Sequence, residues 1–539
     1  MAIRLKRPSG PRSAMRWGES DHCFARRGSA PSPGMARFAL MVVSLVLGAC
    51  YVSDSGREST TASEHDSTAE STAPTTSAGE SSGTRGTTAD DGDTGDTSSA
   101  GTTGAAEDAP TWHRDIAPLI YGNCQPCHSP PVPLAPFALL DYSTAKALAP
   151  LLAEVTASEE MPPFPAAETD ECHPRFGWKD DLRLTAAEKQ LLADWADAGA
   201  PEGNPADAGP LPGPPAGTLA DANLELEIEG EWPQLQVAAD AYRCFSMDPA
   251  LVAEQWINAV EVVPGNASIV HHVTVLVDPT AATAGLADAT GSYECFSGGL
   301  DGTVLAYVWA PGTQPLETPE LSGIHVPVGA RVVVQVHYHS NAAKDEVDNA
   351  TTVRLRLTDI PPQRTLSFAA FGATTPEPVG LQPGPNDPGK PFFLIPGGAV
   401  GHRETFITQL NLAAPVVRLF SVWPHMHLVG TDMKIELTRV SPNAAQPPQE
   451  CLVQTPRWDF HSQRNYLYNL PLDALPTIAT GDTLTLRCTY DNNITNDHLV
   501  QQLLWEQGVA LPDQLKFSDV LAGESSTEEM CAVLLGVIY

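Results

Sequence analysis

Two sets of side chains in this 539-residue sequence have the types and spacing to hold metals. The first set is histidine-rich. It comprises His271-His272, His337 within Val334-Gln335-Val336-His337-Tyr338-His339, and the pair in Trp423-Pro424-His425-Met426-His427. Imidazole suits copper, zinc and nickel about equally, so these residues point to a transition metal without choosing it. A soft thioether donor would favour copper that cycles through Cu(I), and Met426, Met433 and Met530 are the candidates by chemistry. A single histidine is more often a packed or surface residue. Two close pairs and a His-Tyr-His segment in one strand-rich region are harder to explain that way.

The second set is Cys124-Gln125-Pro126-Cys127-His128. This spacing attaches c-type haem: the two thiols bond to the vinyl groups and the next histidine ligates the iron. A structural disulfide, a redox-active pair and a partial zinc site are the alternatives. Met161, in Glu160-Met161-Pro162-Pro163, is the candidate distal thioether, with a core methionine as the plain alternative. His113 and His173 are its rivals, or ordinary surface histidines.

The elements that must position these groups change character along the chain. Residues 51–108 are Ser/Thr/Gly/Asp/Glu-rich with almost no large apolar side chains, too few to offset the ordering of a backbone. They are expected to form an acidic stalk. Apolar residues at helical spacing follow, over 144–156 and 184–199, with Thr185 and Glu188 placed as a capping box and Gly199 as the stop. From 223 the period becomes two: Leu224, Leu226 and Ile228 alternate with acidic residues, and Val273, Val275 and Val277 alternate around Thr274 and Leu276. Strands are also predicted over 331–339, 352–357, 404–410, 417–422, 433–437, 483–488 and 532–538. The expected fold is a small all-α domain followed by two all-β antiparallel sandwiches of jelly-roll type. The divisions are 109–203 for the haem domain, 204–220 for a linker, and 221–365 and 366–539 for the two β domains. On a strand, neighbours face opposite ways, so His271 and His272 share a metal only through a bulge, a strand end or different ring nitrogens. His425 and His427, two apart, would share one strand face.

Charge and the N-terminus bound the setting. The net charge is -34, from 65 acidic and 31 basic side chains, which excludes a nucleic-acid binder because little basic surface remains for phosphates. Residues 1–50 resemble a signal segment. Met35-Ala36-Arg37 precedes an apolar run from Phe38 to Gly48 and then Ala49-Cys50, and Met35 is the alternative to Met1 as the start of translation. Leu47-Gly48-Ala49-Cys50 resembles the bacterial lipobox, which would make Cys50 a lipid anchor to the membrane. An ordinary secretory signal with a chance cysteine is the alternative. Export to the bacterial envelope, as a periplasmic or cell-surface lipoprotein of the outer membrane, is expected, and export permits disulfides.

Two resemblances follow from ordered motifs. Asn123 to His128, Met161-Pro162-Pro163, Leu184-Thr185 and the run Trp195 to Pro201 make 111–203 similar to the small cytochrome c-like domains of exported bacterial proteins. That resemblance implies one covalently bound haem c and an electron-transfer role. Further on come Tyr242-Arg243-Cys244-Phe245-Ser246-Met247, His271-His272, Val334 to Tyr338, His425-Met426-His427 and Glu529-Met530-Cys531. In this order they resemble the copper type II, ascorbate-dependent monooxygenases, the family of peptidylglycine α-hydroxylating monooxygenase and dopamine β-monooxygenase.

The second resemblance implies two copper ions. One, for electron transfer, would be bound by His271, His272 and His337. The other, catalytic and oxygen-binding, would be bound by His425, His427 and Met530, with the two facing each other across a solvent-filled cleft. It also implies disulfides Cys244–Cys295 and Cys488–Cys531, the latter pinning the strand that carries Met530. Cys172 and Cys451 are left over: they pair with each other, stay as thiols, or one pairs outside the chain. The pattern departs from the peptide-amidating members at one point. An arginine that holds a substrate carboxylate is replaced by the Ser421-Val422-Trp423-Pro424 neighbourhood, so an apolar or aromatic small molecule suits the site better than a glycine-ended peptide. Trp423 as plain core is the alternative. The expected function is a copper- and oxygen-dependent hydroxylase of an aliphatic C–H, taking electrons through the haem from a cytochrome or small reductant. The alternatives are a non-catalytic haem/copper electron-transfer or copper-handling protein, and a surface scaffold with vestigial ligands.

Overall fold

Thr185 opens the best-specified helix. Its hydroxyl accepts from Glu188 N while the Glu188 carboxylate accepts from Thr185 N, which satisfies two otherwise orphaned donors. The helix Ala186–Asp197 buries Leu192 and Trp195 and stops before Gly199, whose φ of +79° suits glycine. The apolar stretch expected as one helix over 144–156 forms two, Tyr142–Ala147 and Ala149–Ala157. Pro150 explains the break at Leu148, because its ring nitrogen has no hydrogen to donate to the preceding turn.

The computed structural model describes residues 109–129, 137–212, 219–235, 240–289, 291–295, 302–340, 344–385, 387 and 389–539. The expected signal segment, Cys50 and the 51–108 stalk lie outside the described residues. Among the described residues no helix is long and apolar enough to cross a membrane.

The N-terminal region holds helices but is not all-α. Its core gathers Trp112, Ile116, Ile120, Leu152, Leu192 and Trp195. Between Ser158 and Leu184 the chain runs as an extended strap, and its Phe164, Ala166 and Trp178 belong to the core of the β region instead. Trp178 stacks on Tyr468 at 5.1 Å, and Phe164 meets Tyr466 edge-on at 5.4 Å. Backbone bonds from Ala167 N to Gln454 O and from Lys179 N to Leu467 O continue the docking. The Cys172–Cys451 disulfide closes it, settling the partner of each leftover cysteine.

The strand predictions hold, with ends shifted by a few residues. A five-stranded antiparallel sheet places Arg331–Tyr338 between Ala241–Met247 and Val270–Asp278, with Tyr293–Glu294 and Val304–Trp309 at its edges. A longer sheet runs through Leu224–Glu227, Thr352–Thr358, Gln255–Val263 and Ser322–Val326. It continues without interruption into Arg364–Ala373, Cys531–Ile538 and Val416–His425. The join is the only parallel pairing in that sequence of strands, Arg364 and Thr365 beside Ser322 and Gly323, close to Pro361-Pro362. A four-stranded sheet, His402–Gln409, Thr483–Tyr490, Gly430–Thr438 and Gln449–Thr455, is tied to the long sheet by the Cys488–Cys531 disulfide. Thr483–Tyr490 shows why the pattern was legible: alternate residues Leu484, Leu486, Cys488 and Tyr490 are buried. Among the described residues, one α-helix interrupts the region expected to be all β. Asp497–Gln507 is capped by the Asn496 side chain and stopped at Gly508, φ +62°.

Candidate metal centre

His271, His272 and His337 converge in a buried cluster able to hold a metal ion. Of the three routes open to the pair, a bulge, a strand end or different ring nitrogens, the strands take the bulge. His272 pairs with His337 and Val270 with Tyr338, so His271 is the extra residue opposite that step. The extra residue lets both adjacent rings reach the same point. Nδ1 of His272 lies 3.3 Å from Nδ1 of His271 and 3.2 Å from Nδ1 of His337. Three imidazole nitrogens facing one another so closely, in rings only 7, 9 and 1% exposed, suit a shared cation. Burial lowers His271 and His272 well below the usual histidine range, which keeps them neutral and ready to donate lone pairs.

Outer groups orient the cluster. Tyr242 stacks flat on His337 at 4.3 Å. Asp240 Oδ2 lies 3.5 Å from His337 Nε2, and Asp240 Oδ1 accepts from His339 Nδ1 at 2.6 Å. Burial alone would raise the Asp240 carboxyl, yet its contacts with His337 and His339 hold it well below the usual carboxylate range. A carboxylate behind a ligating imidazole fixes the ring and raises its basicity.

His425, His427 and Met530 come from three different settings. The strand Val416–His425 ends at His425, so His427 lies beyond it in the following loop and does not share a strand face with His425 as expected. Their rings are nevertheless 5.1 Å apart. His425 Nδ1 donates to Gln463 Oε1 at 2.7 Å and His427 Nδ1 donates to Glu528 O at 3.1 Å, which leaves both Nε2 atoms for a metal. Burial lowers His425 to about 4 and His427 to about 3. Met426 and Met433 pack into the hydrophobic core, whereas Met530 and His425 line one cavity.

Glu529 ties this set together. Its Oε2 accepts from His427 N and Met530 N, and its Oε1 from Val429 N and Gly430 N. Burial pushes the carboxyl up to about 8, against the pull of those four amides. Gly430 permits a close approach: a Cβ there would meet Met426 at 2.9 Å and Trp458 at 3.1 Å. Trp458 in turn donates to His427 O.

The two sets are adjacent rather than separated by an open cleft. The His272 and His425 rings are 6.3 Å apart, and Phe460 stacks on His271 at 4.1 Å while lying 6.1 Å from His427. A cavity of about 310 Å³ remains, lined by both His272 and His425. The rest of its wall is mainly apolar, including Leu276, Phe368, Trp423 and Leu534, with Thr274, Gln335 and Gln463 among its polar groups. Asp240, Phe460, Gln463 and Glu529 are the site residues that sequence reasoning missed. Of these, only Glu529 carried a signal, as the neighbour of Met530 in a matched motif.

In the helical region, Cys124 and Cys127 are free thiols, while the other described cysteines form the three disulfides, including Cys244–Cys295. Burial pushes the Cys124 thiol up to about 12. His128 N bonds to Cys124 O, and His128 Nδ1 donates to Phe137 O at 2.9 Å, leaving Nε2 available. Met161 is 42% exposed and lines a cavity of about 340 Å³ whose wall includes none of Cys124, Cys127 and His128. His113 lies 3.7 Å from Glu202, and His173 is exposed beside Glu168.

No family model matches the chain, and no curated protein matches it. Among solved structures, an allantoicase is 9% identical over 47% of this chain and 74% of its own, with a TM-score of 0.14. The major capsid protein P2 from bacteriophage PM2 is 10% identical over 58% of this chain and 96% of its own, TM-score 0.19. The CBM22-1–CBM22-2 tandem domain of Paenibacillus barcinonensis Xyn10C is 10% identical over 56% and 80%, TM-score 0.14. Nothing in the reading of the site rests on likenesses of that degree.

Proposed function

We propose that this chain is a copper-binding electron-transfer or copper-handling protein, with hydroxylation as the finer reading of the same centre. The observation that carries the first statement is the convergence of three buried imidazole nitrogens from His271, His272 and His337. Three nitrogens alone suit several metals. Copper is preferred because the neighbouring set adds the thioether of Met530 to His425 and His427, a donor mix that accommodates Cu(I).

The hydroxylase reading draws on the cavity. His425 and Met530 line a space with Trp423 and, among the described residues, no lysine, arginine or carboxylate in its wall, which favours an uncharged apolar or aromatic small molecule. Copper, when bound, supplies one-electron redox chemistry with molecular oxygen. The overall change would be R–H + O₂ + 2e⁻ + 2H⁺ → R–OH + H₂O, with a cytochrome or small reductant as the electron source. The chain's own part is to hold His425 and His427 by their Nδ1 atoms, to present Met530, and to exclude water with Phe460 and Trp423.

A c-type haem is proposed for the helical region. Cys124 and Cys127 are unpaired thiols three residues apart and His128 Nε2 is available, so these three fit the group. Met161 as distal ligand rests on the sequence resemblance alone. Export is supported by three disulfides, since such bonds persist in oxidising compartments. Lipid anchoring at Cys50 and an outer-membrane site are part of the same proposal.

The separating experiment measures copper per chain and oxygen uptake together. Two tightly bound copper ions with oxygen uptake matched to hydroxylated product support the hydroxylase. Copper binding without substrate-coupled oxygen uptake leaves the copper-handling reading. Zinc in both sets, with copper unable to displace it, overturns both.

A further inference from the structure

His271 has an Nε2 that is buried and without a hydrogen-bond partner. Its ring is flanked by His339 and His461, with centroids 5.8 and 5.6 Å away. His339 and His461 are 5.9 Å apart, and His461 is 5.9 Å from His498. Exposure rises outward along this series: 7% for His271, 15% for the His339 side chain, an exposed His461, and 47% for the His498 side chain. Three separate elements supply the outer rings. His339 follows the strand Arg331–Tyr338, His461 lies in the turn Phe460–Ser462, and His498 lies in the first turn of the helix Asp497–Gln507.

We infer that His498, His461 and His339 form a loading path by which copper ions travel from solvent to the buried three-histidine cluster. A metal-bound imidazole nitrogen lies about 2 Å from its ion, so two rings sharing an ion have nitrogens about 3–4 Å and centroids about 5–6 Å apart, from tetrahedral to linear geometry. Every step in the series has that centroid spacing. An ion can therefore pass between neighbouring rings while keeping a nitrogen donor throughout, and it avoids the large penalty of a bare charge in a dry interior. His339 Nδ1 is occupied by Asp240, which leaves its Nε2 for the ion. At the mouth, Asp459 lies 3.9 Å from His498, and the net charge of -34 draws cations toward the surface. Among the described residues the tight convergence of three donors occurs only at His271, His272 and His337, so the outer rings suit transit rather than a resting site.

The path rests on metal binding by the three-histidine cluster and is independent of hydroxylation. The test uses the full chain stripped of metal, with buffered Cu(II) added and cluster occupancy followed by rapid freeze-quench electron paramagnetic resonance. His498→Gln and His461→Phe are made singly and together, the phenylalanine keeping a ring against Phe460. The expected result is uptake slowed by about tenfold or more in the double variant, with final copper content and apo thermal midpoint unchanged. Unchanged uptake in a folded double variant overturns the path. So does a final content lower by one ion per chain, which would make the outer rings a resting site. His498→Gln alters only a half-exposed side chain and keeps the test available should the double variant misfold. Wild-type chain that takes up no copper at His271, His272 and His337 fails the cluster itself, an outcome distinct from unchanged kinetics.

Discussion

The two donor sets are built by different means. His271, His272 and His337 sit on two paired strands, and one bulge in that pairing aims all three rings. Register is the device, and the alternation of Val273, Val275, Val332, Val334 and Val336 with Thr274 and Gln335 enforces it, because a one-residue slip would swap the two faces and turn those polar side chains into the valine core. His425, His427 and Met530 instead come from a strand end, a loop and the residue before a distant strand. Their geometry depends on ties between segments: the Glu529 carboxylate, the Gln463 and Trp458 side chains, and the Cys488–Cys531 disulfide. A cluster set by register should resist the loss of any one tie, whereas a cluster set by ties should not.

Removing the disulfide is the largest break. Cys488 and Cys531 are 43 residues apart in sequence, and freeing a loop of that size costs about 3–4 kcal/mol. Replacing both by serine should lower the urea midpoint accordingly and weaken copper at the Met530 set first. X-ray absorption that keeps its copper–sulfur distance in the variant would show that the ties are not what holds the thioether. His337→Ala attacks the other cluster. Losing a ligand should weaken that copper by more than the 10–100-fold typical of outer partners, which is about 3 kcal/mol or more. Copper content should fall by one ion while the sulfur-ligated ion stays. Loss of both ions would mean that the sets, 6.3 Å apart at His272 and His425, do not bind independently.

How much of this was legible follows from the same contrast. Features with a local period or local chemistry showed in the sequence: the valine strands, the Thr185 capping box, and the need for a bulge, a strand end or different ring nitrogens at His271-His272. The Asp497–Gln507 helix had local signals too, Asn496 before it and Gly508 after it, but its surroundings read as strand. The 158–183 strap was unreadable as such because Phe164 and Trp178 are ordinary apolar residues until Tyr466 and Tyr468, some 300 positions on, give them a partner. Asp240, Phe460 and Gln463 belong to the same class. Each serves a ring brought near only by tertiary packing, and no spacing rule reaches that far.

Glu529→Gln separates the two designs without removing a donor. Above pH 8, where the raised carboxyl is ionised, an amide offers one acceptor oxygen in place of two, and it turns an NH₂ toward backbone N–H groups now met by Oε1 or Oε2. Leaving buried donors unsatisfied costs about 1–3 kcal/mol. The thermal midpoint should fall, and the Met530 set should lose copper to a competing chelator sooner than the three-histidine set. If both sets weaken equally, the carboxylate supports the fold as a whole rather than one cluster.

The smallest effect is the most discriminating. Asp240 backs His337 across 3.5 Å, bonds His339, and accepts from Ser526 N at 3.0 Å, four residues before Met530. Asp240→Asn removes the negative charge behind His337 and leaves one oxygen for two donors. A contact as long as 3.5 Å places the expected loss at the low end of outer-partner effects, about tenfold in copper affinity at the three-histidine cluster. Chelator competition reads that number directly. The Met530 set should keep its affinity, because Glu529 and Gln463 hold it without Asp240. A matching tenfold loss there would mean that Ser526 transmits the change along the loop to Met530. The two clusters would then be one mechanical unit, and the division between register and ties would apply to their assembly but not to their working.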